Sequence, residues 1–161
     1  MTPAAGRPVS ESKSIYTEVA MPNDANPLGT LFGGKVMAMV DLAASIAAKR
    51  HSRCPVVTAS IDNMSFHYPV RIGELVTCYS QVNRVFTTSM EVGVRVCVEN
   101  LQTGELRHTS SAYLTFVALD EAGNRRPVPP VIPETEDEKR RYEDALKRRD
   151  YRLELRKRTE A

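Results

Sequence analysis

GKVMAMVDLAASIAAKR, running from Gly34 to Arg50, is the stretch whose reading decides the fold. Val36, Met37, Met39, Val40, Leu42, Ala43, Ile46, Ala47 and Ala48 reach every face of a helix, which predicts one buried all round. Lys49 and Arg50 stand in its last turn, where the helix dipole favours cations, and His51 to Pro55 break it. Asp41 is its single acid, set among Met37, Val40, Leu42, Ala44 and Ile46. Burying an unpaired carboxylate is expensive, and no Lys or Arg stands three or four residues away to compensate. A structural reading satisfies Asp41 through Ser45 or the amides of another segment. The functional reading, which the missing partner favours, makes it a general base or nucleophile with a tuned pKa.

Immediately upstream lies MPNDANPLGTLFGG, Met21 to Gly34, a loop dense in Pro, Asn and Gly. Gly33 and Gly34 lead into the helix, where unpaired N–H groups and a partial positive charge can bind a phosphate or stabilise an oxyanion. Paired glycines also serve as plain tight turns, and the stretch fits neither a dinucleotide-binding nor a P-loop pattern. Asn26 is by itself a turn residue, but with both donor and acceptor atoms it can hold a water or a carbonyl. These residues gain weight together: Asn26, Gly33, Gly34 and Asp41 can converge near the N-terminal half of the helix.

Further out, Ser14 to Ala20 alternates as a short strand, and four long β patterns follow the helix: Val56 to His67, Glu74 to Phe86, Ser89 to Glu99 and Leu106 to Leu119. Short links imply antiparallel pairing. The order predicts an α+β domain, with an antiparallel β-sheet wrapped around a long central α-helix. Asp120 to Pro133 is proline-rich and reads as an extended surface segment. Thr135 to Arg158 reads as a charged C-terminal helix with a Thr135–Glu138 capping box and a thin apolar stripe. Residues 1–13 read as a flexible N-terminal tail, 14–130 as the folded domain and 131–161 as the charged helical extension.

Composition narrows the function classes. The chain has 161 residues and a net charge of +2, which does not mark it as a nucleic-acid binder. Its three cysteines lack CxxC spacing and read as reduced thiols. Neither a leader-like apolar segment nor a membrane-length one is visible, so the expectation is a cytoplasmic protein with no membrane partner. His51, His67 and His108 show no metal spacing and read as surface or strand residues; no metal site is expected. There is no GxSxG elbow. The basic stretch KRRDYRLELRKR, Lys147 to Arg158, reads as a solvated helical face.

MPNDANPLGTLFGGKVMAMVDLAASIAA, VVTASIDNMSFHYPVRIGELV and TTSMEVGVRV together resemble the hotdog-fold acyl-CoA thioesterases, in the branch of the YciA-like and cytosolic long-chain acyl-CoA hydrolases. The resemblance covers roughly Ile15 to Pro130. It implies a hotdog fold, hydrolysis of fatty acyl-CoA to carboxylic acid and CoA, and no cofactor beyond the CoA of the substrate. It implies a homo-oligomer, with two protomers joined edge to edge and dimers assembled as a trimer of dimers. The site would lie between subunits, Asn26 from one and Asp41 from the other, with the Gly33 and Gly34 amides as oxyanion hole. Thr58, Thr88 and Ser89 would contact the substrate, and Arg84, Arg125 and Arg126 would meet the CoA phosphates. Two other readings stand beside it: a non-catalytic acyl-CoA-binding hotdog protein, and a hotdog dehydratase, which would want a histidine in the helix-entry loop.

Overall fold

A computed structural model describes residues 4–160. Its elements are β1 (Arg7–Pro8), a 3-10 turn (Val9–Glu11), β2 (Ser14–Val19), a second 3-10 turn (Pro22–Asp24), α1 (Gly33–Ser52), β3 (Val56–Ile61), β4 (Leu75–Val85), β5 (Ser89–Glu99), β6 (Leu106–Ala118), β7 (Val131–Ile132) and α2 (Glu136–Thr159). Five strands form one antiparallel sheet in the order β2-β4-β5-β6-β3. The long strands β4, β5 and β6 occupy the middle; the six-residue strands β2 and β3 are its edges. No helix among the described residues is long and apolar enough to cross a membrane.

The sheet curls around α1, and the expected α+β architecture is present. Val36, Met39, Val40, Ala43, Ala44, Ala47 and Ala48 form one helical face, all buried. They meet the inward residues of β5 (Met90, Val92, Val94, Val96, Val98) and of β6 (Ala112, Leu114, Phe116, Ala118). The alanines let the helix backbone approach closely. Ser80 Oγ donates to the Ala43 carbonyl at 2.9 Å, and Ser14 Oγ does so at 3.3 Å.

Three expectations are corrected. α1 is not buried all round: Met37 and Leu42 are exposed, because the sheet covers only one face of the helix. The stretch 1–13 is not a flexible tail as far as it is described, from residue 4 onward, and residues 1–3 lie outside the described residues. Arg7 and Pro8 pair in parallel with Val131 and Ile132, and Val9 is buried in the core. Ser12 Oγ accepts the Val82 N–H at 2.9 Å and donates to Val9 O. Nor is Asp120 to Pro133 wholly a surface segment, since Val128 and Val131 are buried.

α1 also runs past Arg50. His51 is fully buried in its last turn, not on the surface or in a strand, and its Nε2 lies 2.8 Å from Pro129 O. Burial lowers its pKa below the ordinary histidine value, against the opposing pull of that carbonyl. The helix stops at Arg53, which takes a left-handed conformation (φ 57) and donates its N–H to Lys49 O. All three cysteines are free, and burial pushes the Cys78 thiol up to about 12.

α2 crosses the outer face of the sheet. Its start is the expected capping box: Thr135 Oγ1 accepts the Glu138 N–H, and the Glu138 carboxylate accepts the Thr135 N–H, both at 3.1 Å. Beneath it, Glu91 is fully buried and receives Arg148 through two bonds of 3.0 and 2.7 Å. Asn83 donates to the same carboxylate at 3.0 Å. Asn83 fits only because Gly93 faces it; a Cβ there would lie 2.7 Å from the amide nitrogen.

Candidate active site

Asp41 sits on the margin of α1 between its buried and open faces, and it is half-buried. The alternation of β3 aims Thr58 back at the helix, and Thr58 Oγ1 donates to Asp41 Oδ1 at 2.6 Å. Ser45 is not the partner; its hydroxyl turns back to Leu42 O. The Oδ2 of Asp41 accepts no hydrogen bond among the described residues. One oxygen is thus fixed and the other free, the state a carboxylate needs to take a proton or to attack carbon.

The loop before α1 is held by its own polar groups. Asn26 Oδ1 accepts the N–H groups of Leu28 and Thr30 at 3.0 and 3.1 Å, and its Nδ2 donates to Thr30 Oγ1 at 2.8 Å. Gly29 takes φ 77 to close the turn. Leu31 N–H reaches Val70 O, and Phe32 N–H reaches Asp24 O. Lys35 bridges to Glu18 at 2.8 Å and Asp24 at 3.6 Å, and its hydrogen bond holds the Glu18 carboxyl below the usual carboxylate range. Asn26 therefore organises the loop, and it makes no hydrogen bond to Asp41 of its own chain among the described residues.

Phe32 is the N-cap of α1 and supplies no side-chain cap. The N–H groups of Gly33 and Gly34 make no hydrogen bond among the described residues, so the helix start presents two free donors. A Cβ on Gly34 would stand 2.5 Å from the Phe32 ring, so a side chain there would force the ring aside. The four residues do not converge within one chain. Gly33 and Asp41 stand eight residues apart on one helix, about 12 Å along its axis. A carbonyl held at the glycine amides is out of reach of Asp41 on the same helix.

The open face beside this site is apolar. Met37 and Leu42 of α1, Val57 and Ile61 of the edge strand β3, and Phe66 beyond it are all exposed. β3 pairs only with β6, so its other edge offers unpaired backbone groups.

Of the residues expected at the CoA end, Thr88, Ser89 and Arg125 line one cleft of about 740 Å³. Thr58 does not line it, being bonded to Asp41. Arg84 is drawn elsewhere: its guanidinium stacks 4.0 Å over Tyr142 and donates to that residue's carbonyl. Arg126 is not part of the cleft either. Instead Arg149, Arg152 and Arg156 of α2 enter it. Their spacing of three and four residues puts them on one helical face, a signal present in the sequence but hidden by the uniform charge of that helix.

With this geometry in place, the comparisons are informative. The profile of the Thioesterase superfamily matches residues 28–105. An uncharacterized acyl-CoA thioester hydrolase of Bacillus subtilis is 44% identical over 151 residues, 94% of this chain and 88% of its own. The crystal structure of an apo-hexameric acyl-CoA thioesterase superposes with a TM-score of 0.91 at 44% identity, covering 94% of this chain and 97% of that one. The acyl-CoA hydrolase of Staphylococcus aureus, solved with butyryl-CoA, CoA and CoA disulfide, gives a TM-score of 0.89 at 36% identity, over 96% of this chain and 94% of its own. That enzyme has also been solved as single Asn→Ala, Asp→Ala and Thr→Ala variants.

Proposed function

The chain belongs to the thioesterase superfamily, and from that premise we propose that it is an acyl-CoA thioester hydrolase, acting on fatty acyl-CoA with Asp41 as its catalytic carboxylate. The observation that carries this reading is the Thr58–Asp41 pair at 2.6 Å on the open margin of α1. The positions altered in the Staphylococcus aureus variants are separated by fifteen and seventeen residues, the intervals that separate Asn26, Asp41 and Thr58 here.

With Oδ1 held by Thr58, Oδ2 takes a proton from water or attacks the thioester carbon itself. In either course the carbonyl oxygen gains negative charge, and the Gly33 and Gly34 amides are the donors suited to receive it. Collapse of the tetrahedral species breaks the C–S bond, and the CoA thiolate leaves and takes up a proton; where Asp41 itself attacked, water then hydrolyses the resulting acyl–Asp41 anhydride, releasing the carboxylic acid and restoring the carboxylate. The reaction needs water and no cofactor. Because about 12 Å separates Gly33 from Asp41 on one helix, the amides and the carboxylate that act on one carbonyl come from different subunits. Asn26 belongs with the amides, on the subunit opposite the acting Asp41, where its loop fixes the helix start and its amide orients water or carbonyl.

The exposed Val57 and Ile61 of β3, together with Met37 and Leu42, suit a second copy joined edge to edge. A relative is hexameric, and six copies accommodate the reading of three such dimers. We read the protein as cytoplasmic, in keeping with its free thiols.

Hydrolysis of a series of acyl-CoA esters tests the assignment. Asp41→Ala should lose about a hundred-fold to ten-thousand-fold in kcat; wild-type turnover in that variant would overturn it. Mixing Asn26→Ala with Asp41→Ala subunits should restore part of the activity, because half of the hybrid sites keep both groups. Hybrids as inactive as their parents would refute the shared site.

A further inference from the structure

A cation stands at the wrong end of α1. Lys35 is in the first turn of the helix, at the position where a capping box would place an acid, and that turn holds no acid at all. The helix dipole disfavours a positive charge there. Two acids from outside the helix answer it instead, Glu18 of β2 at 2.8 Å and Asp24 of the entry loop at 3.6 Å. Glu18 is itself fixed, since the Tyr16 hydroxyl donates to its Oε2 at 2.6 Å while Lys35 takes its Oε1. The hydrogen bond to Glu18 raises Lys35 above the ordinary lysine value, so the ammonium stays charged.

This clamp frames the free amides of Gly33 and Gly34. Phe32 N–H donates to the Asp24 carbonyl at 2.8 Å. The Phe32 carbonyl accepts the N–H groups of Lys35 at 2.9 Å and of Val36 at 3.3 Å. That carbonyl and the Gly33 N–H belong to one planar peptide and point opposite ways, so holding the first aims the second. Asp24 is thus gripped twice, its carbonyl by Phe32 and its carboxylate by Lys35. Two successive glycines carry unusual backbone freedom, and Phe32 offers no side-chain cap. The helix entrance therefore depends on restraint from outside the helix, and Lys35 links the two segments that supply it.

We propose that Lys35 is a positioning residue for thioester hydrolysis: by tying Glu18 and Asp24 together it holds the entry loop so that the Gly33 and Gly34 amides meet the carbonyl oxygen as it becomes charged. This rests on the acyl-CoA hydrolase reading above. Lys35 does not itself touch the substrate. Its pairs are partly exposed, and such pairs contribute little to folding, so its effect falls on the transition state and not on stability.

Kinetics of three variants with butyryl-CoA test this. Lys35→Met and Asp24→Ala should each lower kcat about tenfold with KM nearly unchanged, because a small misplacement of the donors is felt at the transition state. Melting temperatures should barely move. Lys35→Arg, which keeps the charge and the reach, should recover most of kcat. Wild-type kcat in Lys35→Met would overturn the proposal. So would full activity in Asp24→Ala beside a damaged Lys35→Met, since the lysine would then act without the loop. A melting temperature that fell in step with kcat, with no rescue by arginine, would also overturn it.

Subunit mixing adds a readout that general loosening would not give. In hybrids of Asn26→Ala and Asp41→Ala, the working site takes its amides from the Asp41→Ala chain. Lys35→Met on that chain should cut the restored activity about tenfold, and on the Asn26→Ala chain it should leave that activity in place. Equal losses would overturn the proposal. If the unmodified pair restored nothing, the shared-site reading would fail and the single variants would decide. Amide hydrogen exchange across 24–34 needs no turnover. It should quicken in Lys35→Met even if no ester were hydrolysed and the hydrolase reading fell, and an unchanged rate would overturn the clamp.

Discussion

The two helices cover opposite faces of one sheet by opposite means. α1 lies on its inner face through Val36, Met39, Val40 and four alanines, and its only acidic side chain is Asp41. α2 lies on the outer face with a single fully buried apolar side chain, Ala145. It is held instead by Arg148 on Glu91, Arg152 on Asp62, Arg148 stacked 3.6 Å over Tyr113, and Tyr142 beneath Arg84. A close-packed helix tolerates almost no freedom, which suits a residue that must aim a carboxylate. A helix docked through arginines keeps a charged surface beside its own anchor. The difference teaches that apolar content alone does not tell which helix is integral to a fold.

The largest effect that would break this contrast is at Glu91. Glu91→Ala removes a fully buried carboxylate and leaves Arg148 without its partner, and should cost about 3 kcal/mol in urea unfolding. A loss below a few tenths would mean that α2 does not depend on the pair. Next is the start of α2, where Thr135→Ala should cost about 1 kcal/mol. Because α1 is capped by no side chain, no such single residue exists at its start.

The smallest effect concerns the far end of α1. Burial disfavours the charged form of His51, so its folded-state pKa lies below the ordinary histidine value of about 6.5. Above 6.5 its contribution to stability is fully present; it is lost as pH falls from 6.5 through the lowered folded value, because the unfolded chain binds the proton first. Melting temperatures should therefore start to fall just under pH 6.5, and His51→Gln should flatten that part of the profile. An identical profile in the variant would assign the dependence elsewhere.

Much of the fold was legible because local pattern and tertiary environment agree. The alternation from Ser89 to Glu99 matches β5 to the residue, and Thr135 with Glu138 announced the start of α2. The failures arise where one distant contact overrides composition. Ser12 sits in a polar, tail-like stretch, yet it is buried because its hydroxyl satisfies Val82 N–H. The strand beginning at Val56 ends at Ile61 rather than His67, where Asp62 turns its side chain to Arg152 of α2. Asp41 stood out in the sequence as a charge without a neighbour. Its partner Thr58, seventeen residues on, becomes visible only when β3 is laid against α1. The arginines of the cleft were hidden for the opposite reason, as three cations in a helix full of them.

The pairing of β1 with β7 has a consequence for how the chain is made. Arg7 and Pro8 emerge from the ribosome more than a hundred residues before their partners Val131 and Ile132. Until then Val9 has no complete pocket, and the last turn of α1 lacks the Pro129 carbonyl that meets His51. Both edge strands wait as well, β2 for β4 and β3 for β6. The nascent chain can assemble the central meander first, but it locks only when β1 and β7 meet, so the segment through Ile132 must emerge before the apolar helix is enclosed.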